Sequence, residues 1–355
     1  MELPKKMRAA VLYDWNDFRL TEVDVPEPQD SEVLIKVESC SICAGDVKII
    51  TRGMMGQPPM GEFIIGHEYA GTVVKLGPNV EEFAVGDRVT VEVHKGCGRC
   101  KNCLDGKVTV CLNYGNTAKG HRANGFTTNG GFADYAVNHV NTVSKIPDNI
   151  SFDEATIITT AGTSLFGIER MGGFIAGENV AVLGPGSIGL MAVQCAKALG
   201  AANVMLTGTR DERLELGKEL GADNTINVKK EDPVKKIQEL TGGIGADLVL
   251  VTSGSEAAFN QALKAVRKGG DITLLAHFDD PVKVEIGLAI QKMNNIYTIR
   301  GEGRQCTHRS LELMAEGKIQ AKPLLTHSFP LEQLREGFDV FMERRDGAIK
   351  VVIHP

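Results

Sequence analysis

The sequence predicts an α/β protein in which a β-rich part adjoins a doubly wound parallel sheet. Three observations carry this. Short strands rich in β-branched residues fill the first third, from Asn179 strands and helices alternate, and a glycine turn stands at the head of that alternation. The chain has 355 residues, enough for two domains of ordinary size. Apolar residues make up 43% and charged residues 24%, the balance of a soluble globular chain.

In the first part, Val33–Val37 and Tyr69–Val74 read as strands, with Pro26, Pro28, Gly77-Pro78 and Gly86-Asp87 marking turns. Residues 94–131 are rich in glycine and cysteine with little periodicity and read as an excursion from the core. Ser151 with Glu154 three residues later makes a capping box, a helix start. Val180–Leu183 is an apolar strand, followed by a glycine turn, a helix to about Leu199 and a second strand at Asn203–Leu206. Helices are then expected at 211–220, 232–240 and 256–267, and strands at Thr225–Val228, Asp247–Val251 and Asp271–Ala276. Near the end, Ile349–Ile353 reads as a strand returning to the first part.

The formal charge of −6, with no basic run, disfavours a nucleic-acid or anionic-membrane partner. The polar start, Met1–Arg8, does not read as a signal peptide, and no stretch reaches the ~18 apolar residues of a membrane span. A cytoplasmic location is expected, where the eight cysteines stay reduced as metal ligands or free thiols.

Cys97, Cys100, Cys103 and Cys111 form C-x2-C-x2-C-x7-C, and four thiolates close a tetrahedral shell around zinc. Gly96 and Gly98 let the backbone fold tightly around an ion. The rival readings are an iron–sulfur cluster and four unrelated thiols. A closed four-sulfur shell leaves no open position, so this metal is expected to be structural. A second set stands apart: Cys43, and His67 with Glu68, each beside a predicted strand. A thiolate and an imidazole suit a catalytic zinc, though taken singly a cysteine is usually a small buried hydrophobe and a histidine usually hydrogen-bonded.

Gly184, Gly186 and Gly189 spell G-x-G-x-x-G between a strand and a helix. That context lets backbone, including Ser187 and Ile188 at the helix start, approach a pyrophosphate. Gly208 stands where an acid would bind the ribose of NAD, and Arg210 follows. The expected cofactor is therefore NADP, Gly208 leaving room for a 2′-phosphate and Arg210 pairing with it. In the alternative, Arg210 is solvated and Asp211 turns to the ribose of NAD.

These motifs in this order resemble the zinc-dependent medium-chain dehydrogenase/reductase family, nearest its threonine, sorbitol and polyol branch. The match spans nearly the whole chain: Ile42-Cys43 with Asp46, Gly66-His67-Glu68 with Gly71, Gly86–Val89, the four-cysteine lobe, and Gly184–Gly189. The resemblance implies a split, GroES-like catalytic domain (1–154 and 298–355, with the lobe at about 94–113) and an inserted Rossmann domain (155–297). It implies two zinc ions per chain and a dimer or tetramer. Cys43 and His67 would be zinc ligands, Glu68 a ligand or a neighbour of the ligands, and Asp46 the acceptor that fixes the His67 tautomer. Ser253, Gly254 and Ala276 would lie near the nicotinamide. The implied activity is reversible oxidation of a secondary alcohol, such as a polyol, sugar or amino alcohol, to a ketone.

Three departures stand out. Thr159 occupies the place of the usual third acidic ligand, Gly45 that of a hydroxyl relay, and Lys48 that of a frequent histidine. The missing acid motivates a rival reading, a zinc-free quinone or enone reductase on the same fold. A non-enzymatic dinucleotide-binding protein is a third.

Overall fold

The computed structural model describes residues 3–173 and 175–355; Met1 and Glu2 of the polar start, and Phe174, lie outside the described residues. The chain divides into two compact units, Met1–Thr159 with Ala321–Pro355, and Thr160–Gln320.

The first unit is mostly antiparallel β-structure. Its larger sheet runs in the order Val143–Lys145, Arg88–Val91, Glu68–Leu76, Glu32–Ser41, Lys350–His354, Leu325–Pro330, and Tyr135–His139 also pairs with Glu32–Ser41. A three-stranded sheet is built on Lys6–Asp14. Val33, Ile35, Val37, Tyr69, Val73, Val89 and Phe338 are buried in one core, and Leu34, Ala70 and Thr90 between them are buried too, so these strands are covered on both faces. The returning C-terminal strand is present: Lys350–His354 lies antiparallel to Glu32–Ser41, with Val352 opposite Ser41. Ser41 in turn lies opposite Glu68. Those two registers bring the last strand to the start of strand Glu68–Leu76.

Cys97, Cys100, Cys103 and Cys111 do sit on an excursion, flanked by the short pair His94–Lys95 and Arg122–Ala123. The expected capping box also forms: Ser151 Oγ accepts from Glu154 N at 3.2 Å, and the Glu154 carboxylate accepts from Ser151 N at 3.1 Å.

The second unit is a six-stranded parallel sheet in the order Asn224–Asn227, Asn203–Gly208, Asn179–Leu183, Ala246–Val251, Val266–Leu274, Asn295–Thr298. The chain starts in the middle, winds to one edge, then crosses to the other side. The switch therefore falls between Asn179–Leu183 and Ala246–Val251, where such sheets bind ligands. The expected strands are all present within a few residues. Val266–Leu274 begins earlier than foreseen and ends before Ala276. The sixth strand and the short helix Gly287–Lys292 before it were not foreseen, because both lack a clear period.

The units divide at 159/160 and 320/321, later than the expected 154/155 and 297/298. Helix Arg304–Ala315 and its flank are fastened to the second unit. Cys306 Sγ lies 3.1 Å from Glu169 Oε2, and Gln320 and Gln194 exchange two hydrogen bonds of 2.7 and 3.1 Å. These long-range partners are invisible in a local pattern.

At the glycine turn, a Cβ on Gly189 would stand 1.8 Å from the carbonyl oxygen of Gly184. Helix Ser187–Ala198 can sit this close to its strand only without a side chain there. Gly189→Ala is expected to lower stability by about 1–3 kcal/mol, the usual penalty of overpacking, read as a lower urea midpoint at unchanged slope.

Candidate active site

Cys43 is the N-cap of helix Ala44–Arg52, with extended backbone, φ −121° and ψ 156°. Asp46, in the first turn, is fully buried. One of its oxygens accepts the Cys43 N–H at 2.9 Å, and the other meets His67 Nδ1 at 2.7 Å. Asp46 thus ties the helix start to the residue before strand Glu68–Leu76. With Nδ1 occupied, Nε2 is the ring atom left to face outward. Burial works against a charged imidazole at His67, but Asp46 and Cys43 override it and raise the affinity for a proton well above the ordinary value. An ion binding there must displace that proton.

The Glu68 carboxylate is buried at the third corner. Ser41 Oγ donates to Oε2 at 2.7 Å and Thr159 Oγ1 to Oε1 at 3.0 Å. The ammonium of Lys350, 1% exposed, pairs with Oε2. Burial raises the pKa of Glu68, but Lys350 and then His67 overcome it and hold it at about 2. Cys43 Sγ, a His67 nitrogen and a Glu68 oxygen all lie within 4.8 Å of one another. A thiolate, an imidazole and a carboxylate at that spacing fit the donor set of a zinc ion.

Thr159 stands beside this group, and its hydroxyl is spent on Glu68. The vacancy left by the usual acid is therefore filled by a positioning donor. Gly45 also has a steric reason: a Cβ there would stand 3.0 Å from His67 Cε1 and 3.5 Å from Phe126 Cζ. The Phe126 ring lies 4.7 Å from the His67 ring, the His94 ring 6.0 Å from Phe126, and the Tyr114 ring 6.1 Å from His94. Lys48 is half-buried on the same helix.

Lys350, Ser41 and Phe126 were not among the residues singled out from sequence. Lys350 had a usable signal: a lysine inside an apolar strand run must find a buried anion.

The four cysteines of the lobe bring their sulfurs within 4.8 Å of one another. Asn113 donates to two of them, its N–H to Cys111 at 3.3 Å and its side-chain amide to Cys97 at 3.2 Å. Backbone donation from Arg99 and the Asn113 amide pull the Cys97 thiol down to about 6. A Cβ on Gly96 would lie 2.5 Å from Cys103 Sγ, so the expected need for glycine at that position holds. Four clustered thiols with donors aimed at them fit a tetrahedral zinc shell.

In the second unit, Gly184, Gly186, Ser187, Ile188 and Gly189 form the turn from strand Asn179–Leu183 into helix Ser187–Ala198, with Gly186 as N-cap. Thr252 Oγ1 lies 3.0 and 2.8 Å from the carbonyl oxygens of Leu183 and Gly184 and secures the turn. Ser253 stands beside Gly184, just past strand Ala246–Val251, and Ala276, past strand Val266–Leu274, donates its N–H to Val251 O.

The reason for glycine at 208 differs from the expected one. The ring of Pro185 covers it, and a Cβ there would lie 2.5 Å from Pro185 Cγ. Any side chain at 208 would therefore have to displace the Pro185 ring. Asp211 is engaged by Asn227 at 2.7 Å and Lys230 at 2.8 Å. Arg210, half-buried at the N-cap of helix Asp211–Glu219, makes no side-chain pair among the described residues.

Residues 29–148 match the alcohol dehydrogenase GroES-like domain, and residues 187–316 match the zinc-binding dehydrogenase family. The sorbitol dehydrogenase of Bacillus subtilis (strain 168) is 32% identical over 99% of this chain and 98% of its own length. The L-threonine 3-dehydrogenase of Bacillus licheniformis is 38% identical over 94% of each. Among solved structures, a putative zinc-binding dehydrogenase from Sinorhizobium meliloti 1021 bound to NADP is similar at a TM-score of 0.89. It is 27% identical, with 99% of this chain and 100% of that one covered. With both domain types matched in order, and full-length relatives above 30% identity, the chain belongs to the zinc-dependent medium-chain alcohol and polyol dehydrogenases, oxidoreductases that work with a nicotinamide cofactor.

Proposed function

We propose that this chain oxidises a secondary alcohol on a small polar molecule, a polyol, sugar or amino alcohol, with NADP as acceptor and two zinc ions per chain. The observation that carries the reading is the convergence of Cys43, His67 and Glu68, far apart in sequence, on one buried corner. A zinc-free reductase on this fold has no use for that donor set, nor for Asp46 behind it. The relatives named for sorbitol and threonine support the substrate class.

In this reading Cys43, His67 and Glu68 hold the catalytic ion, and Cys97, Cys100, Cys103 and Cys111 the structural one. The catalytic zinc supplies a Lewis acid that makes an alcohol proton easier to remove. The residues of the chain do the rest. Asp46 keeps His67 in the tautomer that offers Nε2. Phe126 walls one side of the imidazole, and the polar edges of His94 and Tyr114 behind it suit a hydroxylated substrate. Gly45 offers no hydroxyl, so the alcohol proton leaves by a route that does not pass through residue 45. The backbone N–H groups of the 184–189 turn receive the pyrophosphate, and Ser253 and Ala276 border the nicotinamide. Arg210, which has no side-chain partner among the described residues, meets the 2′-phosphate, while Asp211 is occupied by Asn227 and Lys230. Assembly as a dimer or tetramer belongs to the same reading and is checked by light scattering. No helix among the described residues is long and apolar enough to cross a membrane.

The function is tested by a spectrophotometric screen of polyols, sugars and amino alcohols with both cofactors. Turnover of at least one class with NADP is expected; reduction of quinones or enones alone would sink the proposal. Metal analysis is expected to find two zinc ions per chain. Cys43→Ser should leave only the lobe zinc and lower kcat by about a thousandfold, the scale of a lost Lewis acid. Retention of both ions in that variant would remove Cys43 from the site. Arg210→Ala is expected to raise KM for NADP by about tenfold to a hundredfold, as loss of a charge-assisted hydrogen bond does, and to leave KM for NAD nearly unchanged. Equal effects on both cofactors would refute the assignment of Arg210.

A further inference from the structure

Lys350 opens the last strand and is 1% exposed, with its ammonium on Glu68 Oε2. It is there by register: Val352 lies opposite Ser41, and Ser41 opposite Glu68. Ser41 and Thr159 complete the hold on the same carboxylate, one on each oxygen. A buried ammonium needs a compensating anion, and here that anion is also a candidate metal ligand.

The charges in this corner make the arrangement consequential. A Cys43 thiolate, Asp46 and Glu68 carry three negative charges. A divalent ion supplies two positive charges, and Lys350 supplies the third. In water-poor surroundings such a cluster is stable when its charges close to zero. Lys350 is thus part of the loaded site's balance and, at the same time, a rival of the ion for Glu68.

We propose that Lys350 is a positioning residue that, acting through Glu68, sets how tightly the catalytic ion is held. It keeps the carboxylate from closing fully on the metal and so preserves an open position for substrate. Thr159 supports it by steadying the other oxygen of the same carboxylate. The proposal rests on the reading of Cys43, His67 and Glu68 as zinc ligands.

The test is zinc affinity of the full-length protein, measured by competition with a chromophoric chelator, with the lobe zinc as internal reference. Lys350→Met removes both the rival and a nearby positive charge, so the second zinc is expected to bind about tenfold more tightly or better. In a Glu68→Gln background the same substitution should shift affinity by a clearly smaller factor, because the part that acts through the carboxylate is gone and only direct repulsion between ammonium and ion remains. Lys350→Arg, whose planar fork can take both carboxylate oxygens, should weaken the second zinc by more than about threefold. It carries the test alone if Lys350→Met does not fold. An unchanged affinity in Lys350→Met, an equal shift with and without Glu68, or an unchanged affinity in Lys350→Arg overturns the proposal. A wild-type protein that takes up only the lobe zinc overturns the underlying metal-site reading instead, and the proposal with it.

Discussion

Asp46 spans two chain segments with one carboxylate. Through one oxygen it caps the start of the helix that begins after Cys43, and through the other it holds the ring of His67. Neither contact is remote from the backbone: one is to a main-chain N–H, and the other sets a ring at the head of a strand. A fully buried carboxylate persists because both of its oxygens are satisfied. Severing it would free the imidazole to rotate and the helix start to fray, and Cys43 and His67 would lose their common focus. The geometry of the candidate active site therefore depends on a residue that needs no contact with substrate.

Around that anchor the molecule accepts an expensive group of buried charges. Glu68 and Lys350 are both buried in the first unit, beside Ser41, Asp46 and His67. An apolar pair of the same volume would often be as stable or more so. Such a group makes sense as part of a site, where the sheet supplies rigidity and the charges supply chemistry. The same economy of space explains Gly45. A Cβ there would press on the edge of the His67 ring and meet Phe126 at ordinary contact distance.

The coenzyme end follows a different logic, in which backbone dominates. Gly184 to Gly189 turn over the central strand at the point where the sheet reverses its winding, and Thr252 fastens the turn from the neighbouring strand. Pro185 lies over Gly208, so one residue of the turn helps decide what the second strand can present. In the proposed function, selectivity then rests on Arg210, while Asp211 is paired with Lys230.

Local pattern was enough for much of this. The alternation after Asn179, the capping box at Ser151, the four-cysteine spacing and the glycine turn each depend on residues a few positions apart, where periodicity and turn chemistry act directly. Family resemblance added the pairing of Cys43 with His67, which spacing could not supply. What the tertiary structure alone decided depends on strand register and distant packing. It brought Lys350 to Glu68, turned Thr159 from a missing ligand into a donor, covered Gly208 with Pro185, and kept helix Arg304–Ala315 with the second unit. A register is set by the sum of many contacts across a sheet, so no short stretch of sequence contains it.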